Sequence, residues 1–400
     1  MKSSYITVLS IIALSLAKNS KSSGSKNRKY RVGSLFSGIL GLDIGLSKGL
    51  DNNLEIAFFC ESNPDKIKFI KSKYPNTPIY TSVEELLMGD LTSNVLNIDM
   101  LIGGFPCQDV SSANVITRTG ISGPRTSLYF AISELIDRIT DNANKPPVIV
   151  FENVSGIRTP SGSGRPSPLG VILADMCNKN YVVEYALVNA NNFGSPQMRQ
   201  RYFGVCYHRK ENFFDPESTL QKPFICSNID NYFTSAPPIS IPKSTGENIT
   251  KRFKMLGEAV MPVVAEWIGK QMELSGVMGA TSFTKEMEQP VFPMKWEGKV
   301  SKLNPMDISS IPIYGGLVWD WNIYYGEPQC LPSYQPILRM PTVTTKSNLL
   351  SPSMQKHSTH KSFRRLAGLQ TSGQTLKDKD RMINLEFVEW SMSFPKGWTK

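Results

Sequence analysis

Apolar and polar residues change period repeatedly between residues 30 and 275, and the changes outline alternating strands and helices. Tyr30–Phe36 reads as a strand running into a glycine-bearing turn, Ser37-Gly38-Ile39-Leu40-Gly41. Leu54–Cys60 is a second apolar strand, closed by Glu61. Asn63 predicts a helix N-cap with Pro64 at the first helical position, and Ile67, Ile70 and Tyr74 fall on one face. Ile98–Ile102 is a strand ending at Gly103-Gly104, and Leu128, Ile132, Leu135, Ile136 and Ile139 mark an amphipathic helix. Val148–Phe151 is a short, wholly apolar strand. Leu169–Cys177 predicts a helix, Tyr181–Val188 and Tyr202–Tyr207 predict strands, and Ala259–Leu274 predicts a last helix around Pro262. Such alternation implies an α/β fold with a parallel sheet and a ligand site at the carboxyl ends of its strands.

The pattern also divides the chain. Residues 210–250 are rich in Pro, Ser and Asn and read as a connector, and from 277 onward the periodicity weakens, which predicts a smaller irregular domain at 276–400. Ahead of the first strand, Lys2, the apolar run Tyr5–Ala17 and the Lys/Ser stretch 18–29 resemble a targeting leader or a disordered extension. A run of thirteen residues is short for a bilayer-spanning helix, so no stable membrane insertion of the mature domain is expected. The domain boundaries expected are therefore 1–29, 30–275 and 276–400.

Charge sharpens this division. The net charge is +10, yet residues 31–276 are close to neutral, with 23 basic and 24 acidic side chains. Between Arg339 and Arg381 there are nine basic residues and two acidic ones, Asp378 and Asp380. A basic segment beside a neutral body is the footprint of a polyanion-binding protein, or else a solvated surface. The six cysteines form no CxxC pair, and His208, His357 and His360 do not complete a zinc set, so no metal is expected.

Several positions carry chemistry. Glycines after a first strand let a cofactor approach the backbone, an acid at the end of the second strand can grip ribose hydroxyls, and Asp90 in Gly89-Asp90-Leu91 can accept from an exocyclic amine. Cys107 follows a strand in the small-residue turn Gly103-Gly104-Phe105-Pro106-Cys107-Gln108, a placement that presents a thiol to a cleft. A lone cysteine is otherwise a small buried hydrophobe. The strand Val148–Phe151 delivers Glu152-Asn153 at its carboxyl end, where desolvation raises a carboxyl pKa and suits it to donate a proton. Gln197, Arg199 and Arg201 alternate along a strand and so share a face.

In this order, the blocks resemble the DNA cytosine-5 methyltransferase family. Gly104-Phe105-Pro106-Cys107-Gln108 resembles its nucleophile loop, Phe151-Glu152-Asn153-Val154 its catalytic glutamate, and Gln197-Met198-Arg199-Gln200-Arg201 its substrate-clamping strand. Gly123-x-Arg125-x-x-Leu128, Leu256-Gly257-Glu258-Ala259-Val260-x-Pro262 and the terminal Phe394-Pro395-x-Gly397-Trp398-Thr399 match further blocks. The resemblance implies a Rossmann-like S-adenosylmethionine-dependent catalytic domain with a mostly parallel central sheet, followed by a target recognition domain at 276–400. It implies Cys107, Glu152, Arg199 and Arg201 as catalytic residues. It places the cofactor against Phe36, Gly38, Ile39, Gly41, Glu61, Asp90, Leu91, Pro106, Leu128, Glu258 and Val260. Gln108, Gln197, Arg339, Lys346, Arg364 and Arg365 are the expected contacts to double-stranded DNA.

Three departures from the family pattern bear on this. Leu40 stands at a usual glycine and is expected to crowd the cofactor turn, Glu258 replaces a usual asparagine, and the block at Gly257 precedes the terminal segment instead of closing the chain. A monomer in a DNA-containing compartment is expected. A chain ending at about Ser275 should then fold and bind cofactor but lose DNA. Two other functions stay open on the sequence: a tRNA cytosine-5 methyltransferase, and a decayed DNA-binding relative without catalysis.

Overall fold

A computed structural model describes residues 29–105, 127–142, 146–159, 167–208, 232–233, 235–238, 240–242, 249–275, 318–320, 338–339 and 381–400. Residues 1–28, which include the apolar run expected as a leader or extension, and Pro106, Cys107 and Gln108 lie outside the described residues. The first half alternates as the periodicity predicts: β1 (Tyr30–Leu35), α1 (Gly41–Gly49), β2 (Leu54–Cys60), α2 (Pro64–Lys73), β3 (Ile79–Tyr80), α3 (Val83–Leu87), α4 (Ser93–Leu96) and β4 (Met100–Gly103). Asn63 caps α2 as expected, its side chain accepting the Asp65 and Lys66 amides with Pro64 behind it. Next come α5 (Ser127–Asn142), β5 (Val148–Val154), α6 (Pro168–Asn178), β6 (Tyr181–Asn189), β7 (Gln197–Met198), β8 (Gln200–His208) and β9 (Ser240–Pro242). The remaining elements are α7 (Ile249–Glu258), α8 (Pro262–Ser275), β10 (Val318–Asp320), β11 (Leu338–Arg339), β12 (Arg381–Ile383) and α9 (Leu385–Ser391).

An eight-stranded sheet in the order β10-β6-β8-β5-β4-β1-β2-β3 forms the centre. It is mixed, not wholly parallel. Strands β1 to β5 run parallel to one another, but β8 is antiparallel to both β5 and β6. The short connection from Asn189 to Gln200 turns the chain straight back, which only antiparallel pairing permits. The reversal has a functional consequence, because it brings the start of β8 to the carboxyl end of β5, with Val154 opposite Arg201.

The predicted helix Ala259–Leu274 begins three residues later, at Pro262, and an unpredicted helix, α7, precedes it across a break at Ala259–Met261. Proline lacks an N–H and disfavours helical backbone in the residue before it, so α8 starts at Pro262. Helix α8 lies directly on α1, close enough that a Cβ on Gly45 would overlap the Pro262 carbonyl.

The terminal segment does not stand apart. Leu385, Phe387, Val388, Trp390, Met392 and Phe394 are all buried in the same core as the sheet and α8. Buried Glu389 accepts from the Thr399 amide, the Thr399 hydroxyl, the Gly397 amide and Arg252 of α7. Asn384–Lys400, expected within the recognition domain, pack in the same body as the sheet. Among the described residues no helix is long and apolar enough to cross a membrane, and no three His, Cys, Asp or Glu side chains cluster as a metal site.

Candidate active site

A cavity of about 640 Å³ opens where β1, β2, β4 and β5 end, a size that suits a nucleoside-sized ligand. Its floor is the turn between β1 and α1. Three residues there have left-handed backbone, Phe36 (φ 51°), Gly38 (φ 60°) and Leu40 (φ 68°). Glycine adopts this conformation freely, whereas other residues are strained by about 1–2 kcal/mol. The turn is tied to β2, since Glu61 accepts the Gly38 amide through one carboxylate oxygen and the Asn63 amide through the other, both at 2.9 Å. Each carboxylate oxygen keeps a further lone pair for ligand hydroxyls. Leu40 does not crowd the cavity, contrary to expectation: its side chain is fully buried and is not part of the cavity lining. The substitution for glycine is felt in the backbone angle instead.

The second wall carries the acid. Glu152, near the end of β5, is buried, and Arg201 Nε lies 3.1 Å from its Oε1. Burial holds its carboxyl above the usual carboxylate range, with the charges of Arg201 and then Arg199 pulling the other way. A Cβ on Gly104 would come within 3.0 Å of Glu152 Oε2, so a glycine lets the chain leaving β4 run alongside the carboxylate. Asn153 Nδ2 donates to the Phe105 carbonyl at 3.2 Å, fixing that chain two residues before Cys107. The β5 carboxyl end thus presents the acid and also anchors the approach to the cysteine segment. Asn153 was not singled out from sequence, where it reads only as the neighbour of Glu152.

The third wall is the corner between α7 and α8. Arg199 donates to the Gly257 and Ala259 carbonyls at 3.2 and 2.6 Å, so its hydrogen bonds hold this corner. Arg201 makes an ion pair with Glu152, and the charge of Arg199 acts on the carboxyl in the same direction. A Cβ on Gly41 would overlap the Val260 carbonyl, so the corner closes on the turn between β1 and α1. Glu258 lines the cavity as an ion pair with Lys66 of α2, at 2.8 Å. Its charge is therefore compensated within the protein. From the terminal segment, Trp398 Nε1 donates to the Ile39 carbonyl at 2.9 Å, and its ring stacks on Phe394 and meets Phe69 edge-on. Ser393 Oγ accepts the otherwise unpartnered Val263 amide in the first turn of α8.

Of the candidate residues read from the sequence, the cavity brings together Phe36, Gly38, Ile39, Gly41, Glu61, Leu128, Glu152, Arg199, Arg201, Glu258 and Val260. It does not include Asp90 or Leu91. Asp90 is exposed, in a segment that Arg138 holds through the Leu87 and Gly89 carbonyls. Gln197, expected to face DNA, is buried and donates to Ser391 Oγ at 2.7 Å. The alternation that puts it on one face with Arg199 is correct, but the terminal segment covers that face. Arg339 lies in β11, whose backbone pairs with β7 so that Arg339 sits opposite Met198. Lys346, Arg364 and Arg365 lie outside the described residues. Lys66 and Asp43 line the cavity without having been anticipated, because a lysine on a helix and an acid in a first helical turn are ordinary surface features in sequence.

A family model described as C-5 cytosine-specific DNA methylase matches residues 30–240. The chain is similar to the type II methyltransferase M2.BsuMI of Bacillus subtilis, with 33% identity over 171 residues, 43% of this chain and 40% of that protein. It is also similar to the type II methyltransferase M.NgoFVII of Neisseria gonorrhoeae, with 28% identity over 236 residues, 58% of this chain and 59% of that protein. Similarity to the type II methyltransferase M.AquIA of Picosynechococcus sp. reaches 30% identity over 206 residues, 46% of this chain and 75% of that protein. The chain thus spans only about half the length of the first two.

Proposed function

The chain belongs to the C-5 cytosine-specific DNA methylase family, and from that premise we propose that it methylates C5 of cytosine in duplex DNA, with S-adenosylmethionine as donor and Cys107 as nucleophile. The observation that carries this is the buried Glu152–Arg201 pair beside Gly104-Phe105, at the mouth of a nucleoside-sized cavity. The cavity fits the donor on its own terms. Glu61 offers spare lone pairs beside the glycine turn, and buried Asp43 has one carboxylate oxygen without a hydrogen-bond partner.

When bound, the donor supplies an electrophilic methyl group on a sulfonium. Phe36, Gly38 and Glu61 hold its nucleoside part, and the corner at Val260 closes over the turn. A cytosine inside a duplex is out of reach, so the target base is extruded into the site, which costs a few kcal/mol. The Cys107 thiolate adds to C6 while Glu152, protonated more readily because it is buried, holds a proton at N3. Charge that builds on the ring thereby becomes available at C5. Arg201 keeps the Glu152 carboxyl in place and adds positive potential that favours the thiolate. Loss of the C5 proton then releases Cys107.

The test is trapping. Duplex DNA containing 5-fluorocytosine should form a denaturant-resistant adduct with the protein and donor, since fluorine cannot leave as the C5 proton does. The Cys107→Ala protein should form none. An adduct with tRNA in place of DNA moves the substrate assignment to RNA, and no adduct with either ends the covalent mechanism.

A further inference from the structure

We propose that Asp43 recognises the α-ammonium group of the cofactor's amino-acid end. The inference rests on the donor reading above and deepens it. Asp43 lies in the first turn of α1, directly after the cofactor turn, and lines the cavity. It is 3% exposed, and its Oδ1 has no hydrogen-bond partner. Ser34 of β1 and Tyr74 at the end of α2 lie near the carboxyl, the Ser34 hydroxyl itself donating to Ser37 Oγ at 3.0 Å. No ion pair among the described residues reaches it, although Glu258, Glu152 and Glu61 around the same cavity all have partners.

A buried acid left in this state is costly, and burial pushes its pKa up to about 6. A cation that supplies N–H donors relieves both deficits at once. The ammonium of an amino-acid-bearing adenosyl ligand has three such donors. A sulfonium has none, so it cannot satisfy the orphaned oxygen, and the ligand carboxylate would be repelled. The Lys66–Glu258 pair at the cavity wall is electrically balanced, and Glu61 has both oxygens engaged by backbone amides, so Asp43 is the acid with neither a countercharge nor a donor on Oδ1. A first-turn acid can also serve only the helix dipole, which worsens no ligand in particular.

Calorimetric titration of the full chain separates these roles. The ligands are S-adenosylhomocysteine and its deaminated analogue, which keeps the adenosine, thioether and carboxylate. Wild type should prefer S-adenosylhomocysteine about 10- to 100-fold, the range that a hydrogen bond to a charged group supports. Asp43→Asn should lose that preference by weakening S-adenosylhomocysteine alone. Equal loss for both ligands, or no loss, overturns the proposal in favour of a helix-capping role. Should Asp43→Asn fail to melt cooperatively, the wild-type comparison still decides, because equal affinity for the two ligands rules out ammonium recognition. Wild type that binds neither ligand ends the donor reading itself, and this proposal with it.

Discussion

Replacing Trp398 by Phe asks whether the terminal segment serves the cofactor or the DNA. The indole N–H holds the carbonyl of Ile39, a residue that is 1% exposed and forms the cofactor turn. Phenylalanine keeps the stack on Phe394 and the edge contact with Phe69 but cannot donate, and it weakens the Lys73 cation–π contact now at 4.8 Å. A neutral hydrogen bond contributes about 0.5–1.5 kcal/mol, and a buried carbonyl left without a donor costs about 1–3 kcal/mol. A loss of about 1–2 kcal/mol in the order of the turn corresponds to roughly 5- to 30-fold weaker cofactor binding. Calorimetry with S-adenosylhomocysteine and a salt-matched DNA titration, run on the same protein, measure the two affinities. Trp398→Phe is expected to weaken the cofactor and leave DNA within about twofold. The opposite pattern, cofactor unchanged and DNA weakened, refutes the reasoning and returns Trp398 to a recognition role. By the same logic a chain ending at Ser275 should fail to bind cofactor, the reverse of what the sequence alone suggests, since it lacks Ser393, Phe394 and Trp398.

Two further outcomes follow from the site. Glu152→Gln should slow the single-turnover methyl transfer by about 10²–10⁴-fold with DNA affinity little changed, because the amide keeps the shape but cannot give up a proton in the same way; a loss under threefold makes Glu152 structural. Leu40→Gly relieves about 1–2 kcal/mol of left-handed strain at φ 68° but deletes a fully buried side chain, which costs about 3–5 kcal/mol. It should therefore destabilise the protein by about 1–4 kcal/mol in chemical denaturation, and a stabilised variant contradicts the assignment of Leu40 to the core.

Much of the fold was legible because its signals are local. Apolar runs bounded by turn residues mark β1, β2 and β5, and Asn63-Pro64 marks the start of α2 to the residue. Strand direction is not local: Tyr202–Tyr207 would look the same run either way, and only the short path from Asn189 hints at the reversal. The same holds for side-chain destinations. Alternation put Gln197 and Arg199 on one face but could not say that Ser391 and the Gly257 carbonyl cover it. Placement was legible where it depends on a strand end, as with Glu152, and not where it depends on a remote partner, as with Trp398 at Ile39.

The block order read from the sequence has a physical rationale in those remote partners. The contacts that close the cofactor turn join residues far apart in sequence: Trp398 to Ile39, Ser393 to Val263, and Arg252 to Glu389. None of them requires that the terminal segment precede the corner at Val260. What they require is that Asn384–Lys400 reach the outer side of α7 and α8, and the pairing of β12 with β9 and of Asn384 with the Pro238 carbonyl delivers the chain there. Lengthening a connection raises closure entropy only slowly, by about 0.6 kcal/mol per doubling. A long excursion between α8 and β12 is therefore a small cost against a buried segment that caps a helix, anchors an arginine and holds the cofactor turn. The parts of this active site are set by which surfaces meet, and the order in which the chain visits them is secondary.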